Sequence, residues 1–522
     1  MADKPNFLFI VTDQQRADHL GCYGNSLLKT PHIDTLADEG RRFDQFYVAS
    51  PTCQSNRASI MTGRMPSLNG VRNNGLPLPF GATTFVEILR EAGYRTALLG
   101  KSHLQNMTGL PPAQKREIEE GLAQPAEHLR EAEVGGRLHT NYELENALNW
   151  PTPAMERRKE PYYGFEHFEI CTSHGDQVGG DYLFWAQAKE PDFHQLRDPQ
   201  NALDRGDYTA PQARRTAIPE ELYASTYTLD RTISFLENHK SKDPDQPFYI
   251  QMGFADPHYP FTPPGNYWGL YNPQDIKLPD SFDVTSTPLQ AGLKKMLAEG
   301  KAFREAHASF AVTEQEAKEI IALTYGMITM IDDCIGRVME TLRQLDLDKN
   351  TIVIFSSDHG DHMGDHGIML KSAMHTRGLT RVPFIWREPR GKKSIEEHLA
   401  STIDIAPTIL RRAGIQPNNG VQGRDLLDIN AAPESLLIET DNPFPGGPPN
   451  PRTRTLMMKD WRFSVHQGFE WGELYDLIND PGETNNLWAD NAYKDKRAEL
   501  TEQLLRRMME MQENAPLQTG LS

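Results

Sequence analysis

The sequence predicts an α/β fold: a large mixed, mostly parallel sheet sandwiched by helices, followed by a smaller C-terminal α+β domain with a short antiparallel sheet. Two observations predict the large sheet. Apolar runs rich in β-branched and aromatic residues recur along the chain, and helical segments lie between them. A third observation predicts the smaller domain, because after "STIDIAPTILRRAG" the chain becomes rich in Gly, Asn and Pro and short strand-like runs follow.

The first apolar run, "NFLFIVTD", ends in the carboxylate of Asp13. Its lack of polar alternation is typical of a parallel strand that is buried on both faces. Three later runs have the same form: "RTALLG" precedes Lys101, "PFYIQMGF" precedes Asp256, and "TIVIFSSD" precedes His359. We therefore expect polar side chains to gather at the carboxyl ends of these strands.

Two long helices are predicted between the later strands. "IPEELYASTYTLDRTISFLENH" has Pro219 near its start and apolar residues such as Leu229 and Leu236 at helical spacing. "AKEIIALTYGMITMIDDCIGRVMETLRQL" places Cys334 among apolar residues, where a cysteine usually behaves as a small inert hydrophobe. Both helices are expected to cover the sheet.

The predicted domains are a catalytic domain over residues 1–425 and a smaller domain over residues 426–522. Polar, charge-rich intervals near 105–215 and 280–311 are interpreted as insertions that shape the substrate mouth. The smaller domain closes with the helix "KDKRAELTEQLLRRMMEMQ". The apolar residues of this helix pack either on their own domain or on a partner subunit, so the sequence is compatible with a homo-oligomer. These residues are Leu504, Leu505, Met508 and Met509.

Composition excludes several classes of function. The formal charge is −18, with 72 acidic against 54 basic residues, which argues against a nucleic-acid surface and favours a small substrate. The apolar run from Phe7 to Val11 is too short for a signal peptide or a membrane span, so a cytoplasmic protein without membrane attachment is expected. The four cysteines are widely spaced and form no CxxC, so neither a zinc knuckle nor a redox pair is indicated.

The polar residues after the apolar runs form a chemically coherent set. They combine two carboxylates, an amide oxygen and an imidazole, which suit a divalent cation such as Ca²⁺, Mg²⁺ or Mn²⁺, with one lysine and two further histidines that suit an anionic substrate. Each residue taken singly is explained better as a turn residue or a solvated side chain than as a functional one. Their convergence on one sheet edge favours a functional site. The set is Asp13, Gln14, Lys101, His103, His258, Asp358 and His359.

Several blocks of the chain resemble the type I sulfatases of the alkaline phosphatase superfamily over nearly the whole length. "CQSNRASIMTGR" is similar to the sulfatase signature, in which Cys-x-Pro/Ala-x-Arg is followed by Thr-Gly-Arg. The blocks "TPHIDTLADEGRRFDQFY", "GKSHL", "DPHYPFTPP", "SSDHGDHMGDHG" and "ELYDLINDPGETNNL" resemble family blocks in the same order.

The resemblance implies that Cys53 is a precursor. In that family a formylglycine-generating enzyme oxidises the motif cysteine to Cα-formylglycine, whose hydrated aldehyde attacks sulfur while its second hydroxyl later releases sulfate. It also implies one divalent metal, expected to be Ca²⁺ with Mn²⁺ as the alternative. Arg57 would anchor the formylglycine. The metal ligands carried over by motif are Asp13, Gln14, Cys53, Asp358 and His359.

The remaining roles also follow from the resemblance. Lys101 and Lys371 match lysines that contact the sulfate, and His103 matches the base for the second hydroxyl. His258 matches a histidine near the leaving oxygen, so that His258 and Lys371 share its stabilisation. Asn74 in "VRNNG" lies where some relatives carry a substrate-contacting asparagine, although Asn-Gly is equally a turn signal.

Two residues depart from the usual pattern. Ser55 stands where the modification motif most often has Pro or Ala, so recognition of Cys53 by the modifying enzyme is an open point. Gln14 stands where many sulfatases have a second Asp, which removes one negative charge from the metal site. The Asp-Gln pair resembles the related phosphonate monoester and phosphodiester hydrolases, whereas "GKSHL" supplies the lysine and histidine typical of sulfatases.

The predicted function is hydrolysis of aryl or small alkyl sulfate esters, with some activity on phosphodiesters and phosphonates. A phosphonate monoester hydrolase with the same nucleophile is the main alternative. A non-catalytic binding protein on a sulfatase scaffold is a second alternative. A two-zinc phosphatase is a third, with extra ligands from "DHMGDHG" at Asp361, His362, Asp365 and His366.

Overall fold

The computed structural model describes residues 4–110, 118–126, 129, 142–146, 150, 152–305, 308–441 and 451–521. The strands of this part of the chain are β1 (Asn6–Thr12), β2 (Arg41–Phe43), β3 (Phe46–Tyr47), β4 (Arg95–Lys101), β5 (His167–Thr172), β6 (Gly179–Gly180), β7 (Phe248–Gly253), β8 (Phe310–Ala311), β9 (Thr351–Ser357), β10 (Ile368–Met369), β11 (Phe384–Arg387), β12 (Ser394–Glu396), β13 (Ala400–Ser401), β14 (Leu436–Thr440), β15 (Thr453–Met457), β16 (Trp461–His466) and β17 (Gly472–Asp476).

The helices are α1 (Pro31–Glu39), α2 (Cys53–Thr62), α3 (Pro66–Asn69), α4 (Phe85–Glu91), α5 (Ala154–Arg157), α6 (Asp181–Lys189), α7 (Ala224–Lys242), α8 (Pro288–Ala298), α9 (Glu314–Gln344), α10 (Arg377–Thr380), α11 (Ile405–Arg412) and α12 (Lys494–Glu510).

Within the described residues, a central sheet of nine strands has the order β12-β2-β11-β9-β1-β7-β4-β5-β6. Strands β9, β1, β7, β4 and β5 are parallel neighbours, while β11 and β6 run antiparallel to β9 and β5. The sheet is therefore mixed and mostly parallel, as predicted. Because parallel strands end at the same edge, the residues that follow β1, β4, β7 and β9 come together there.

Apolar side chains of β1 alternate between two cores, one on each face of the sheet. Leu8 and Ile10 pack in a cluster with residues of α1, α7 and α9. Phe7 and Phe9 pack in a second cluster with residues of α2, α4 and α11. This arrangement explains the continuous apolar run of the first strand, since a strand covered on both faces buries every side chain. The prediction of helices on both faces is confirmed.

The C-terminal region forms a separate antiparallel sheet in the order β14-β15-β16-β17, which confirms the predicted short sheet. Helix α12 packs against it through Leu500 and Leu504, which are buried in a cluster with Leu456 and Phe463. The other apolar residues predicted to pack from this helix are exposed; they are Leu505, Met508 and Met509.

Two details differ from the sequence-based expectation. The helix expected from about Pro219 begins only at Ala224, because Tyr223 is extended and residues Glu220–Leu222 form a separate single turn. The interval 105–215, predicted as an insertion, contributes β5 and β6 to the central sheet. Parts of this interval and of the interval 280–311 lie outside the described residues.

Among the described residues, no helix is both long enough and apolar enough to span a membrane.

Candidate active site

The carboxyl edge of the central sheet gathers the predicted functional side chains into one buried site. The backbone of the strand ends is joined directly, since Asp13 N donates to Asp256 O at 3.1 Å and Asp358 N donates to Thr12 O at 3.1 Å. None of the gathered side chains is more than 9% exposed. They are Asp13, Gln14, Cys53, Arg57, Lys101, His103, His258, Asp358, His359 and Lys371.

Cys53 is the first residue of α2, and its thiol points into this site. Its Sγ lies 3.0 Å from His359 Nε2 and accepts a hydrogen bond from Lys371 Nζ at 2.7 Å. The helix N-terminus adds partial positive charge at the same place. The local arrangement therefore favours a negatively charged or strongly polarised group at residue 53.

The electrostatics of Cys53 differ from those of the other cysteines. Burial raises the pKa of the Cys53 thiol, but the positive charges of Lys371 and His359 outweigh this and lower the pKa below its ordinary value. In the other three cysteines burial dominates and raises the pKa; these are Cys22, Cys171 and Cys334. Low thiol pKa values occur in positively charged, functional surroundings.

Arg57 lies one helical turn after Cys53 and is 3% exposed. Its Nε donates to Asp358 Oδ2 at 2.7 Å, and its second terminal nitrogen lies 3.4 Å from Asp13 Oδ2. A third nitrogen donates to the carbonyl oxygens of Lys101 and Ser102. Arg57 thus joins the ends of β1, β4 and β9 and orients both carboxylates of the site.

The oxygen-rich side of the site fits a divalent cation. Ligand atoms of Asp13, Cys53, Asp358 and His359 all lie within 4.8 Å of one another. Within the described residues, the buried atoms Asp13 Oδ1 and Gln14 Oε1 have no hydrogen-bond partner. Buried oxygens without partners are costly unless a cation or water satisfies them, and this donor set suits Ca²⁺ or Mn²⁺.

Neighbouring groups orient two of these ligands. His359 Nδ1 donates to the carbonyl oxygen of Gly360 at 2.7 Å, which leaves Nε2 as the ring nitrogen that faces Cys53 and Lys371. Gln14 Nε2 donates to Asp361 Oδ2 at 2.6 Å, which fixes the amide and leaves the buried Gln14 Oε1 available to a cation. Burial raises the pKa of Asp361 to about 6.

Two buried lysines, Lys101 and Lys371, contribute ammonium groups to the site. Lys101 Nζ forms an ion pair with Asp13, and Lys371 Nζ lies 3.2 Å from His258 Nε2. Gly100 precedes Lys101 with φ at +102°, and a Cβ there would collide with the carbonyl oxygen of Gly253, so only glycine lets β4 and β7 approach this closely.

The outer residues of the predicted site differ in burial. His103 is 6% exposed, and its Nδ1 has no hydrogen-bond partner within the described residues. Burial and the nearby Lys101 hold the pKa of His103 well below its ordinary value, so the ring is neutral. Asn74 is exposed, and its Oδ1 accepts a hydrogen bond from Gln54 N at 3.2 Å. Its amide therefore stabilises the first turn of α2 beside Cys53.

Two residues of the site were not predicted from the sequence. Asp361 orients Gln14, although the sequence-based prediction considered it only as a ligand for a second metal. His174, two residues after β5, contacts Lys101 and stacks on His258. The run "HFEICTSH" ends in a polar residue after a partly apolar strand, the signal used elsewhere, but it lies in an interval interpreted as an insertion.

The residues considered for a second zinc have other partners. His362 bonds to Thr376 and Ser372 through its two ring nitrogens, and Asp365 pairs with Arg16 at 2.7 Å. Among the described residues, none of the groups able to hold a metal contains Asp361, His362, Asp365 or His366. The geometry therefore does not favour a two-zinc phosphatase that uses these side chains.

Comparison with known proteins identifies the family. The sequence model of the Sulfatase family matches residues 5–123 and 171–415, and that of the N-sulphoglucosamine sulphohydrolase C-terminal region matches residues 364–512. An arylsulfatase of Clostridium perfringens is 30% identical over 512 residues, which cover 94% of this chain and 92% of that protein. A choline-sulfatase of Rhizobium meliloti is 24% identical over 502 residues, which cover 94% of this chain and 83% of that protein.

The fold has close structural neighbours as well. The crystal structure of the phosphonate monoester hydrolase of Agrobacterium radiobacter superimposes with a TM-score of 0.76 at 22% identity, covering 98% of this chain and 96% of that one. The chain belongs to the sulfatase family, as a type I sulfatase of the alkaline phosphatase superfamily. It is an enzyme of sulfuric ester hydrolysis, and the resemblance seen in its motifs is confirmed.

Proposed function

We propose that this sulfatase cleaves aryl or small alkyl sulfate esters with a hydrated formylglycine, formed from Cys53 by a separate maturation enzyme, as its nucleophile. The observation that carries the proposal is the position of Cys53. Its Sγ lies among the candidate cation ligands and within hydrogen-bond distance of Lys371 and His359. The names of two relatives, arylsulfatase and choline-sulfatase, support aryl and small alkyl substrates.

The chain supplies several cationic groups for a sulfate ester monoanion. Lys101 and Lys371 are both buried, and Lys371 contacts Cys53, so their attraction for an anion is only weakly screened by solvent. Arg57 is committed to Asp13 and Asp358 and holds residue 53 through the geometry of α2. Removing one such donor typically costs about 3 kcal/mol of transition-state stabilisation.

The nucleophilic step uses one hydroxyl of the hydrated aldehyde in its ionised form, after its proton has passed to water. It forms a new bond to sulfur as the bond from sulfur to the alcohol oxygen breaks. His103 then accepts the proton of the second hydroxyl, the carbon–oxygen bond to sulfate breaks, and sulfate and the aldehyde form; water restores the hydrate. A divalent cation held by Asp13, Gln14, Asp358 and His359 supplies positive charge that favours the ionised form of a hydroxyl at residue 53.

The leaving alcohol oxygen needs a proton donor. His258 Nδ1 lies 2.6 Å from the carbonyl oxygen of Tyr259, which can only accept, so this nitrogen carries the proton. Its Nε2 is then an acceptor for Lys371 Nζ at 3.2 Å. In this arrangement Lys371 carries the proton toward the alcohol oxygen, and His258 holds the ammonium group in place.

Ca²⁺ is the proposed cation, with Mn²⁺ as the alternative. The protein donors are two carboxylates, one amide oxygen and one imidazole, so the site carries two formal negative charges. Replacement of a carboxylate by Gln14 and the presence of His359 Nε2 make the site less anionic than a set of carboxylates alone, which is the feature that would favour Mn²⁺.

A phosphonate monoester hydrolase is the second candidate. The observation that favours it is Gln14, whose amide is fixed by Asp361 at 2.6 Å beside the candidate cation ligands. The solved structure described above carries the name phosphonate monoester hydrolase. Lys101 and His103 favour the sulfatase, because together they supply a cation for the sulfate and a base for its release.

The proposal is tested by the mass of the tryptic peptide 43–57, from protein made together with a formylglycine-generating enzyme. We expect the aldehyde form at Cys53 and activity on a nitrophenyl sulfate that follows the fraction converted. Cys53→Ala is the matched control and should be inactive. Full activity with an unmodified thiol would contradict the mechanism, and far faster turnover of a phosphonate monoester in parallel would favour the second candidate.

A further inference from the structure

His174 lies in the active site, and the roles proposed above do not include it. It follows β5 and is 9% exposed. The residue before it, Ser173, has φ at 63°, which is rare for a residue other than glycine. Gln14, His103 and Leu370 share this feature with φ of 66°, 57° and 66°, and each is a proposed functional residue or directly precedes one. The loop after β5 is therefore built like the other loops of the site.

The contacts of His174 centre on Lys101. Lys101 Nζ contacts both His174 Nε2 and Asp13 Oδ2, and Lys101 is completely buried. His174 Nε2 itself lies 4.0 Å from Asp13 Oδ2. A protonated amine can only donate, so His174 Nε2 is the acceptor. The ammonium group is thus held between one carboxylate and one neutral imidazole.

A second contact ties His174 to the opposite side of the site. Its ring stacks on the ring of His258 with centroids 3.5 Å apart and planes at 12°. His258 Nε2 accepts from Lys371 Nζ at 3.2 Å. Two parallel imidazoles therefore hold the ammonium groups of Lys101 and Lys371, and the stack fixes their relative position.

We propose that His174 is a positioning residue that keeps the Lys101 ammonium directed at the anionic group of the substrate. The inference rests on the proposed function. Its physical basis is the double use of Asp13, which is both a candidate cation ligand and the partner of Lys101. A cation held by Asp13 would attract the carboxylate and repel the ammonium, which would make Asp13 a weaker partner for Lys101. His174, being neutral, remains as the acceptor.

Three substitutions separate hydrogen bonding from ring packing. His174→Gln keeps an acceptor, His174→Phe keeps the ring but no acceptor, and His174→Ala keeps neither. The full-length protein is titrated with inorganic sulfate by calorimetry, with Ca²⁺ present. We expect the Ala and Phe variants to bind sulfate about tenfold or more weakly, the order of effect for one hydrogen bond to a charged group, and the Gln variant to stay within about threefold of wild type.

Kinetics on a nitrophenyl sulfate provide the second readout. The Ala and Phe variants should show a raised KM, because the sulfate of the bound substrate makes the same contact with Lys101. His239→Phe is the matched control, because this buried histidine lies in α7, where its ring packs against Phe235 and Phe248. It should leave sulfate affinity and KM unchanged.

Several results would overturn the inference. If the Phe variant bound sulfate as tightly as wild type, the hydrogen bond accepted by His174 Nε2 would not be needed. If the Gln and Ala variants lost equal amounts of sulfate affinity, His174 would have a structural role only. Binding of a second equivalent of Zn²⁺ by wild type but not by His174→Ala would show that Asp13, His174 and His258 hold a metal instead. If wild type turned over only a phosphonate ester, the proposed function would fail, while the order of sulfate affinities would still decide the role of His174.

Discussion

Lys371 Nζ lies 2.7 Å from Cys53 Sγ, although the two residues are 318 positions apart in the chain. The lysine comes from the loop after β10 and the cysteine from the first turn of α2. Both side chains are buried, so the positive charge acts on the thiol with little solvent screening. This contact links the proposed nucleophile position to an ammonium group that also contacts His258.

The first prediction concerns the unmodified, metal-free protein. Lys371 and His359 together lower the pKa of Cys53 more than burial and Asp13 raise it, so the thiolate should form at a lower pH than in an ordinary cysteine. In Lys371→Met the pKa of Cys53 should instead lie above its ordinary value, because burial and the negative charge of Asp13, which both raise it, remain. The thiolate is followed by its ultraviolet absorbance, as the difference from Cys53→Ala. Lys349→Met, at an exposed lysine, is the control, and an unchanged midpoint in Lys371→Met would contradict the assignment.

The second prediction concerns the buried ion pairs of Arg57. Arg57→Met leaves Asp13 and Asp358 as buried carboxylates without their guanidinium partner, so the free energy of unfolding of the metal-free protein should fall by about 3–5 kcal/mol. Urea denaturation measures the change. Arg506→Gln removes an exposed pair with Glu502 and should cost well under about 1 kcal/mol. Comparable losses in the two variants would argue against the proposed role of Arg57 in the site.

The third prediction concerns the cation. Ca²⁺ or Mn²⁺ should raise the unfolding temperature of wild type. At a cation concentration a hundredfold above the dissociation constant, the free energy of unfolding should rise by about 2.7 kcal/mol, and a chelator should remove this stabilisation. Asp358→Asn removes one of the two carboxylates and should abolish most of the effect. Asp346→Asn, at an exposed carboxylate, should leave it intact. A full response in Asp358→Asn would mean that the cation binds elsewhere.

The fourth prediction concerns Ser55, which is completely buried and whose hydroxyl has no hydrogen-bond partner within the described residues. Ser55→Ala removes an unsatisfied polar group, so the free energy of unfolding should rise by about 1 kcal/mol. Ser59→Ala in the same helix is the matched control with the opposite sign, because Ser59 Oγ accepts from Asn69 Nδ2 at 3.2 Å. Destabilisation by Ser55→Ala would show that the hydroxyl has a partner.

Ser55 also bears on maturation. The alanine variant matches the more frequent form of the modification motif, so the fraction of peptide 43–57 in the aldehyde form should equal or exceed that of wild type. Mass spectrometry of both proteins, made side by side with the modifying enzyme, measures the two fractions. A lower fraction in the variant would show that the maturation enzyme uses the serine hydroxyl.

The sequence by itself determined the class of fold and most of the site. The runs that became β1, β4, β7 and β9 are uninterrupted because both faces of the sheet are covered, and their ends placed Asp13, Lys101 and Asp358 at one edge. Cys53 and Arg57 were found through the motif they share. These features are local, since each depends on a short stretch of residues whose pattern reflects burial or a fixed spacing.

Only the tertiary structure decided which side chains touch. It showed that Asp361 orients Gln14 and that His174 joins Lys101 to His258. The strand before His174 was missed because its charged residues, His167 and Glu169, remain partly exposed, so the run does not show the apolar character of a strand buried on both faces. Apolar patterns record burial along one element, whereas the partner of a buried charge depends on how loops from distant parts of the chain pack together.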